Sequence, residues 1–146
     1  MSIWTEAIPY FSKSELACKG TGIIKIDVRF AVLLSYLRMI WGEPLTATSV
    51  CRTPNHNRAI GGHPTSLHLT ENPKHASNGS MAADITWSHW TKEKRIKFAR
   101  LAYSLGFSVG LHVSFIHIDL RSAIGLKQNV FVYGVWNNEF GAKEIL

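Results

Sequence analysis

Residues 114–120 read SFIHIDL. Successive side chains of a strand point to opposite faces, so Phe115, His117 and Asp119 share one face while Ile116, Ile118 and Leu120 share the other. The apolar face marks a strand packed on a core. The imidazole and carboxylate on the other face are costly to bury unless something pairs with them. A second run, AADITW (82–87), holds Asp84 at the edge of an apolar strand. LTATS (45–49) and VFVYGVW (130–136) are further β-like runs, rich in branched and aromatic residues.

Two helical patterns lie among these runs. From Arg29 to Trp41, the residues Phe30, Leu33, Leu34, Leu37 and Ile40 recur at three- and four-residue steps, and Gly42 is placed to end the helix. A second helix over 91–105 turns Ile96, Ala99, Ala102 and Tyr103 inward and stops at Gly106. No βαβ repeat is regular enough for a doubly wound sheet. The pattern predicts an α+β fold, with a small, mostly antiparallel sheet and flanking helices. No repeat, low-complexity segment or linker divides the chain, and 146 residues fit one domain over 1–146. Residues 122–146 are expected to add an edge strand and an exposed terminal extension to it.

An apolar share of 46% and a charged share of 18% exclude a disordered chain. No apolar run approaches the ~20 residues of a membrane span. The opening lacks a basic start and an apolar core, so no signal peptide is expected. The two cysteines, Cys18 and Cys51, have no metal-ligand spacing and read as free thiols in a reducing compartment. A net charge of +6 favours polyanionic partners such as nucleic acid, an anionic cell wall or an outer-membrane surface. The one basic cluster (Lys92, Lys94, Arg95, Lys97 and Arg100) reads as the solvated face of the second helix. The five tryptophans are not grouped with lysines, so no specific nucleic-acid partner is expected. A monomer is expected.

Residues 51–69, CRTPNHNRAIGGHPTSLHL, fit neither period and are full of turn residues. Long loops of this kind are often functional, and this one carries His56, His63 and His68. Two histidines and an aspartate on separate elements could hold a divalent metal, form a buried hydrogen-bonded pair, or face water. Their spacing forms no local ligand motif.

Several stretches together resemble the M15 peptidases, the zinc D-Ala-D-Ala carboxypeptidase and peptidoglycan endopeptidase group whose short branch includes phage endolysins. FSKSELACKGTG (11–22) resembles the family's opening, and LTATSVCRTPNHNRAIGGHPTSLHL (45–69) its Ser-x-x-Arg segment, glycine pair and Ser-x-His. AADI (82–85) resembles the strand with the aspartate ligand, and GFSVGLHVSFIHIDLR (106–121) the stretch with the last histidine. The resemblance implies the hedgehog/D-Ala-D-Ala peptidase-like fold with a zinc site on the sheet. His68, Asp84 and His117 would bind one Zn2+, with a fourth position for water. Arg52 would hold a substrate carboxylate or the oxyanion formed during attack. Ser49 and Ser66 would shape the loop. Asp119 would orient His117 from behind, pair with Arg121, or face water.

Two departures stand out. The family pattern His-x-x-Gly-x-Ala-x-Asp keeps histidine and aspartate close, whereas His68 and Asp84 are sixteen positions apart. Either an insertion of about nine residues separates them or His75 is the ligand instead. SLHL keeps the family's serine and follows the glycine pair, which favours His68 and makes 70–80 a loop overhanging the site. The family's usual general base before the last histidine is replaced by Ser114 and Phe115. His112, Asp119, Glu71 and His75 are the candidates for that role. The expected activity is a zinc-dependent peptidoglycan peptidase, more an endopeptidase than a D-Ala-D-Ala carboxypeptidase, and a phage endolysin in setting. It would be made in the host cytoplasm and act at the wall after release, or be virion-associated. The alternative is a non-catalytic zinc-containing wall-binding or virion structural module.

Overall fold

A computed structural model describes residues 3–75 and 77–146 of the chain. Strand β1 (Ile3–Trp4) pairs antiparallel with β2 (Ile26–Asp27) in a small two-stranded sheet. Helix α1 (Lys13–Leu16) is a single turn closed by a capping box, in which Ser12 and Glu15 exchange hydrogen bonds. Glu15 also accepts from the Ala47 N–H at 2.8 Å and so ties this turn to β3 (Ala47–Ser49).

Helix α2 (Val28–Trp41) starts on Asp27, whose carboxylate accepts the Arg29 N–H, and ends at Gly42 with φ 77°. Helix α4 (Lys92–Ser104) is capped by Thr91, and Gly106 follows it at φ 111°. Between them lie α3 (Pro54–Ala59) and β4 (Ala82–Thr86). After α4 come β5 (Ser108–Leu111), β6 (Phe115–Asp119), a 3₁₀ turn (Arg121–Ile124), β7 (Val130–Val132) and α5 (Ala142–Ile145).

The main sheet has the order β3-β4-β6-β5-β7, antiparallel except for the parallel β5–β7 edge. This is the small, mostly antiparallel sheet that the alternation implies. Ile85, Ile116, Ile118 and Val109 share one core with Phe30, Leu34 and Leu37 of α2 and Phe98, Ala99 and Ala102 of α4. The register sets Asp84 beside His117 and, on the other flank of His117, Gly110.

Several expectations are corrected. Residues 51–69 are not a structureless loop, because Pro54 at the first helical position and the Thr53 cap start α3 inside them. Asp84 lies in the middle of an interior strand rather than at an edge. On α4, Ile96 and Tyr103 pack half-buried against the core as expected, but Phe98 and Arg95, not expected there, are buried as well. Arg95 therefore leaves the solvated cluster: it donates to the Trp87 and Ser88 carbonyls and to Glu139. Ile40 is 44% exposed, because α2 turns Ala31 inward in place of it. The tail is less exposed than expected, since Phe140 and Ile145 join the core. β5 is an addition to the expected strands, four residues long with a glycine that breaks the apolar pattern.

That glycine has a steric reason. A Cβ on Gly110 would stand 2.8 Å from the Phe131 ring and 2.9 Å from the Tyr133 Cβ. Gly110→Ala must push both rings outward, and overpacking of this kind costs about 1–3 kcal/mol. A fall in melting temperature of several degrees is expected, read by circular dichroism, with loss of the ring stack over His117 described below.

Candidate metal centre

β4 and β6 present Asp84 and His117 as direct cross-strand neighbours. The third member, His68, comes from the segment after α3. A parallel bridge between Arg52 and Leu69 fixes that segment, with the Arg52 N–H donating to the His68 carbonyl at 3.0 Å. Ser80 donates to the same carbonyl at 2.6 Å, and Ser66 accepts the His68 N–H at 3.2 Å. His68, Asp84 and His117 are all buried, and their ligand atoms lie within 4.8 Å of one another.

The tautomers follow from the outer partners. His68 Nδ1 is 2.8 Å from the Val50 carbonyl, which can only accept, so Nδ1 carries the proton. His117 Nε2 is 2.8 Å from Asp119 Oδ2 and donates to it. Asp119 is in turn held by Arg121, with Nε on Oδ1 at 2.9 Å and Nη2 on Oδ2 at 2.7 Å. Asp119 thus both supports His117 and pairs with Arg121, and it does not face water.

The inner nitrogens are left with lone pairs. His68 Nε2 lies 3.2 Å and His117 Nδ1 3.0 Å from the same oxygen, Asp84 Oδ1. In the neutral tautomers three acceptors face one another with no proton among them. Either both imidazoles are charged or a cation sits at their focus. Two imidazoles and a carboxylate, with both outer nitrogens already fixed, suit a divalent metal of the zinc type. The group could hold a metal ion.

Burial alone would raise the Asp84 carboxyl, but the charge of His68 and hydrogen bonds from His117 and His68 hold it well below its ordinary range. Burial likewise lowers His117, yet Asp119 and Asp84 outweigh it and the imidazole ends raised. Asp119, despite its burial, is brought down to about 2 by Arg121 and His117. Its contribution to stability is therefore present above about pH 4, the ordinary carboxyl range, and lost as pH falls through about 2. In the metal-free protein Asp119→Asn is expected to be less stable at pH 7, with the gap to wild type closing between pH 4 and 2 in urea unfolding.

A cleft of about 350 Å³ opens over His117 and Asp119. Two stretches of chain complete its lining: His63, Thr65, Ser66, Leu67 and His75 from one, and Arg121, Leu126, Phe131 and Tyr133 from the other. Tyr133 stacks on His117 at 4.4 Å with the planes 9° apart. Its phenol is raised by burial and by Asp84, against the nearby Arg52. Arg52 lies beside the group: Nη1 donates to Asn57 Oδ1 at 3.0 Å and Nη2 to Ser49 Oγ at 3.4 Å, and Ser49 is the cross-strand neighbour of Asp84. A Cβ on Gly62 would stand 2.0 Å from that Asn57 oxygen, so a glycine is required where the loop crosses.

The other expected residues fall elsewhere. His75 lines the cleft but is not in the metal-ligating group. Glu71 is ion-paired with Lys25 at 2.7 Å and is not among the cleft's lining residues. His112 stacks on Phe115 at 4.2 Å, also off the cleft lining. Ala76, within the expected 70–80 insertion, lies outside the described residues. Asn72 pins that insertion back by donating to the Thr65 and Ser66 carbonyls. Both cysteines are free and buried. Among the described residues no helix is long and apolar enough to cross a membrane. Sequence reasoning missed Tyr133, Asn57 and Ser80. Only Tyr133 carried a signal, as the aromatic alternating with Phe131 in VFVYGVW.

A family model described as Peptidase M15 matches residues 9–119. No curated protein and no solved structure matches the chain. The matched span covers more than half of the chain and contains Arg52, His68, Asp84 and His117. With its buried His–Asp–His group set on an α+β sheet, this chain belongs to the M15 peptidase family, a family of metallopeptidases.

Proposed function

We propose that the protein is a zinc-dependent peptidoglycan peptidase that cleaves a peptide bond in the stem or cross-bridge, as an endopeptidase, in the setting of a phage endolysin. The observation that carries the metal half of this reading is the convergence of His68 Nε2, His117 Nδ1 and Asp84 Oδ1, three lone pairs with no donor among them when both imidazoles are neutral. His68, Asp84 and His117 are the proposed ligands. The chemistry that zinc held by these residues would supply is an activated water and polarisation of a carbonyl oxygen. The net charge of +6 suits an anionic wall as the place of action. The whole chain is proposed to serve this one activity, with 122–146 as part of the same domain.

The chain's own residues divide the remaining work. Val50 and Asp119 hold the two imidazoles in their tautomers. Arg52, aimed by Asn57 and Ser49, is proposed to meet the negative oxygen that forms on the substrate carbonyl. Of the four residues open as general base, Asp119 is committed to His117 and Arg121, while Glu71 and His112 do not line the cleft. The proton acceptor is assigned to the lining imidazoles other than His117, namely His75 and His63.

Digestion of purified sacculi, with mass spectrometry of the released fragments, tests the reading. Zinc-dependent release of peptides cut within the stem or cross-bridge is expected, and loss of terminal D-Ala alone would make it a carboxypeptidase. Equal digestion by metal-free protein would sink the zinc mechanism. Tight binding to sacculi without any release would instead favour the wall-binding module.

A further inference from the structure

Four of the cleft's lining residues come after the family-matched span: Arg121, Leu126, Phe131 and Tyr133. Three are apolar or aromatic. Arg121 is the one permanently charged cation among the cleft's described lining residues. Its guanidinium is fixed before any ligand arrives, because Nε and Nη2 grip the two oxygens of Asp119 and the plane lies 4.7 Å over the Phe131 ring. That grip uses the side edge of the fork. Nη1 has no hydrogen-bond partner among the described residues, and the side chain is 24% exposed. A guanidinium carries five N–H donors, so its end edge remains open for a second acceptor. A carboxylate matches that edge in shape and charge.

We propose that Arg121 is a specificity-determining residue, whose free edge reads a carboxylate on the peptide segment lying against the Leu126–Phe131–Tyr133 wall. The substrate class is then peptides with a free carboxylate a few residues from the bond cleaved. This inference rests on the peptidase reading. Arg121 also positions Asp119, and through it His117, so loss of activity in a variant does not separate the two roles. The ratio between two substrates does, because a displaced His117 slows both alike.

The test uses a pair of synthetic stem peptides that differ only in a free carboxylate or its carboxamide next to the cleaved bond. For the wild-type zinc protein, kcat/KM for the carboxylate form is expected to be about 10- to 100-fold higher, the range of a charge-assisted hydrogen-bond pair. Arg121→Gln is expected to bring the ratio close to one, and Arg121→Lys to keep part of it. A second readout needs no turnover: metal-free wild-type protein should bind the carboxylate peptide more tightly than the amide, by tryptophan fluorescence titration. A wild-type ratio near one, equal binding of the two peptides, binding of neither, or a ratio unchanged in either folded variant overturns the proposal. Preferential binding of the carboxylate form without cleavage of either peptide upholds Arg121 and overturns the peptidase reading alone.

Discussion

Zinc at about a hundred times its dissociation constant is expected to raise the melting temperature of the wild-type protein by about 5–10 °C and to leave Asp84→Asn unmoved. In wild type without metal, Asp84 Oδ1 faces two imidazole nitrogens that have no proton to give in their neutral tautomers. Binding a cation removes this conflict and stabilises the folded chain by about 2.7 kcal/mol at that concentration. An asparagine at 84 offers an amide N–H to one of the lone pairs, so the variant keeps its fold and loses its need for the cation. Sacculus digestion by the same variant is expected to fall by ~10³-fold or more, since several kcal/mol of charge stabilisation go with the metal. His117→Ala should fail in both assays as well, and near-ultraviolet circular dichroism checks that its fold survives. Equal zinc shifts in wild type and Asp84→Asn would show that the ion binds elsewhere.

The parts of the fold that were legible in the sequence are those where one periodicity controls the element. SFIHIDL alternates without interruption, and it is β6, the strand that carries His117. α2 and α4 have long apolar faces and glycine stops, and their bounds differ from expectation by a residue or so. β5 was illegible because Gly110 serves Phe131 and Tyr133 rather than its own strand, a tertiary demand that leaves no local trace. α3 leaves little trace in the sequence because Thr53-Pro54 serves equally as a turn signal and as a helix start. The M15 resemblance, carried by four ordered stretches, agrees with the family match over 9–119. Within the site, spacing could not choose between His68 and His75. What distinguishes them is the Arg52–Leu69 bridge, which brings His68 to β4, while Asn72 draws the insertion back toward 65–66 and leaves His75 on the cleft wall. Tyr133 is the clearest omission: it is stacked on His117 but comes from a segment read as a peripheral tail.

Arg52→Lys is expected to lower kcat by about 10²- to 10³-fold, the cost of removing one oxyanion donor, with little change in KM or in bound zinc. Asn57 holds one guanidinium nitrogen and Ser49 the other, so the fork is aimed before substrate arrives. Gly62 leaves the room that this arrangement needs. A lysine keeps the charge but offers a point donor, which cannot satisfy Asn57 and an oxyanion in the same fixed geometry. The sequence left Arg52 with two roles, holding a substrate carboxylate or meeting the oxyanion, and the kinetic split separates them. A carboxylate is present in the ground state, so losing its partner raises KM. An oxyanion exists only in the transition state, so losing its partner lowers kcat and kcat/KM together. Ser49 is the direct neighbour of Asp84, so the Arg52 guanidinium stands next to the proposed reacting centre. Arg121 lines the cleft and grips Asp119, the partner of His117 Nε2. The two arginines are thus suited to different charges, Arg52 to the one that forms during reaction and Arg121 to the one the substrate brings with it. A rise in KM at constant kcat for Arg52→Lys would reverse that assignment.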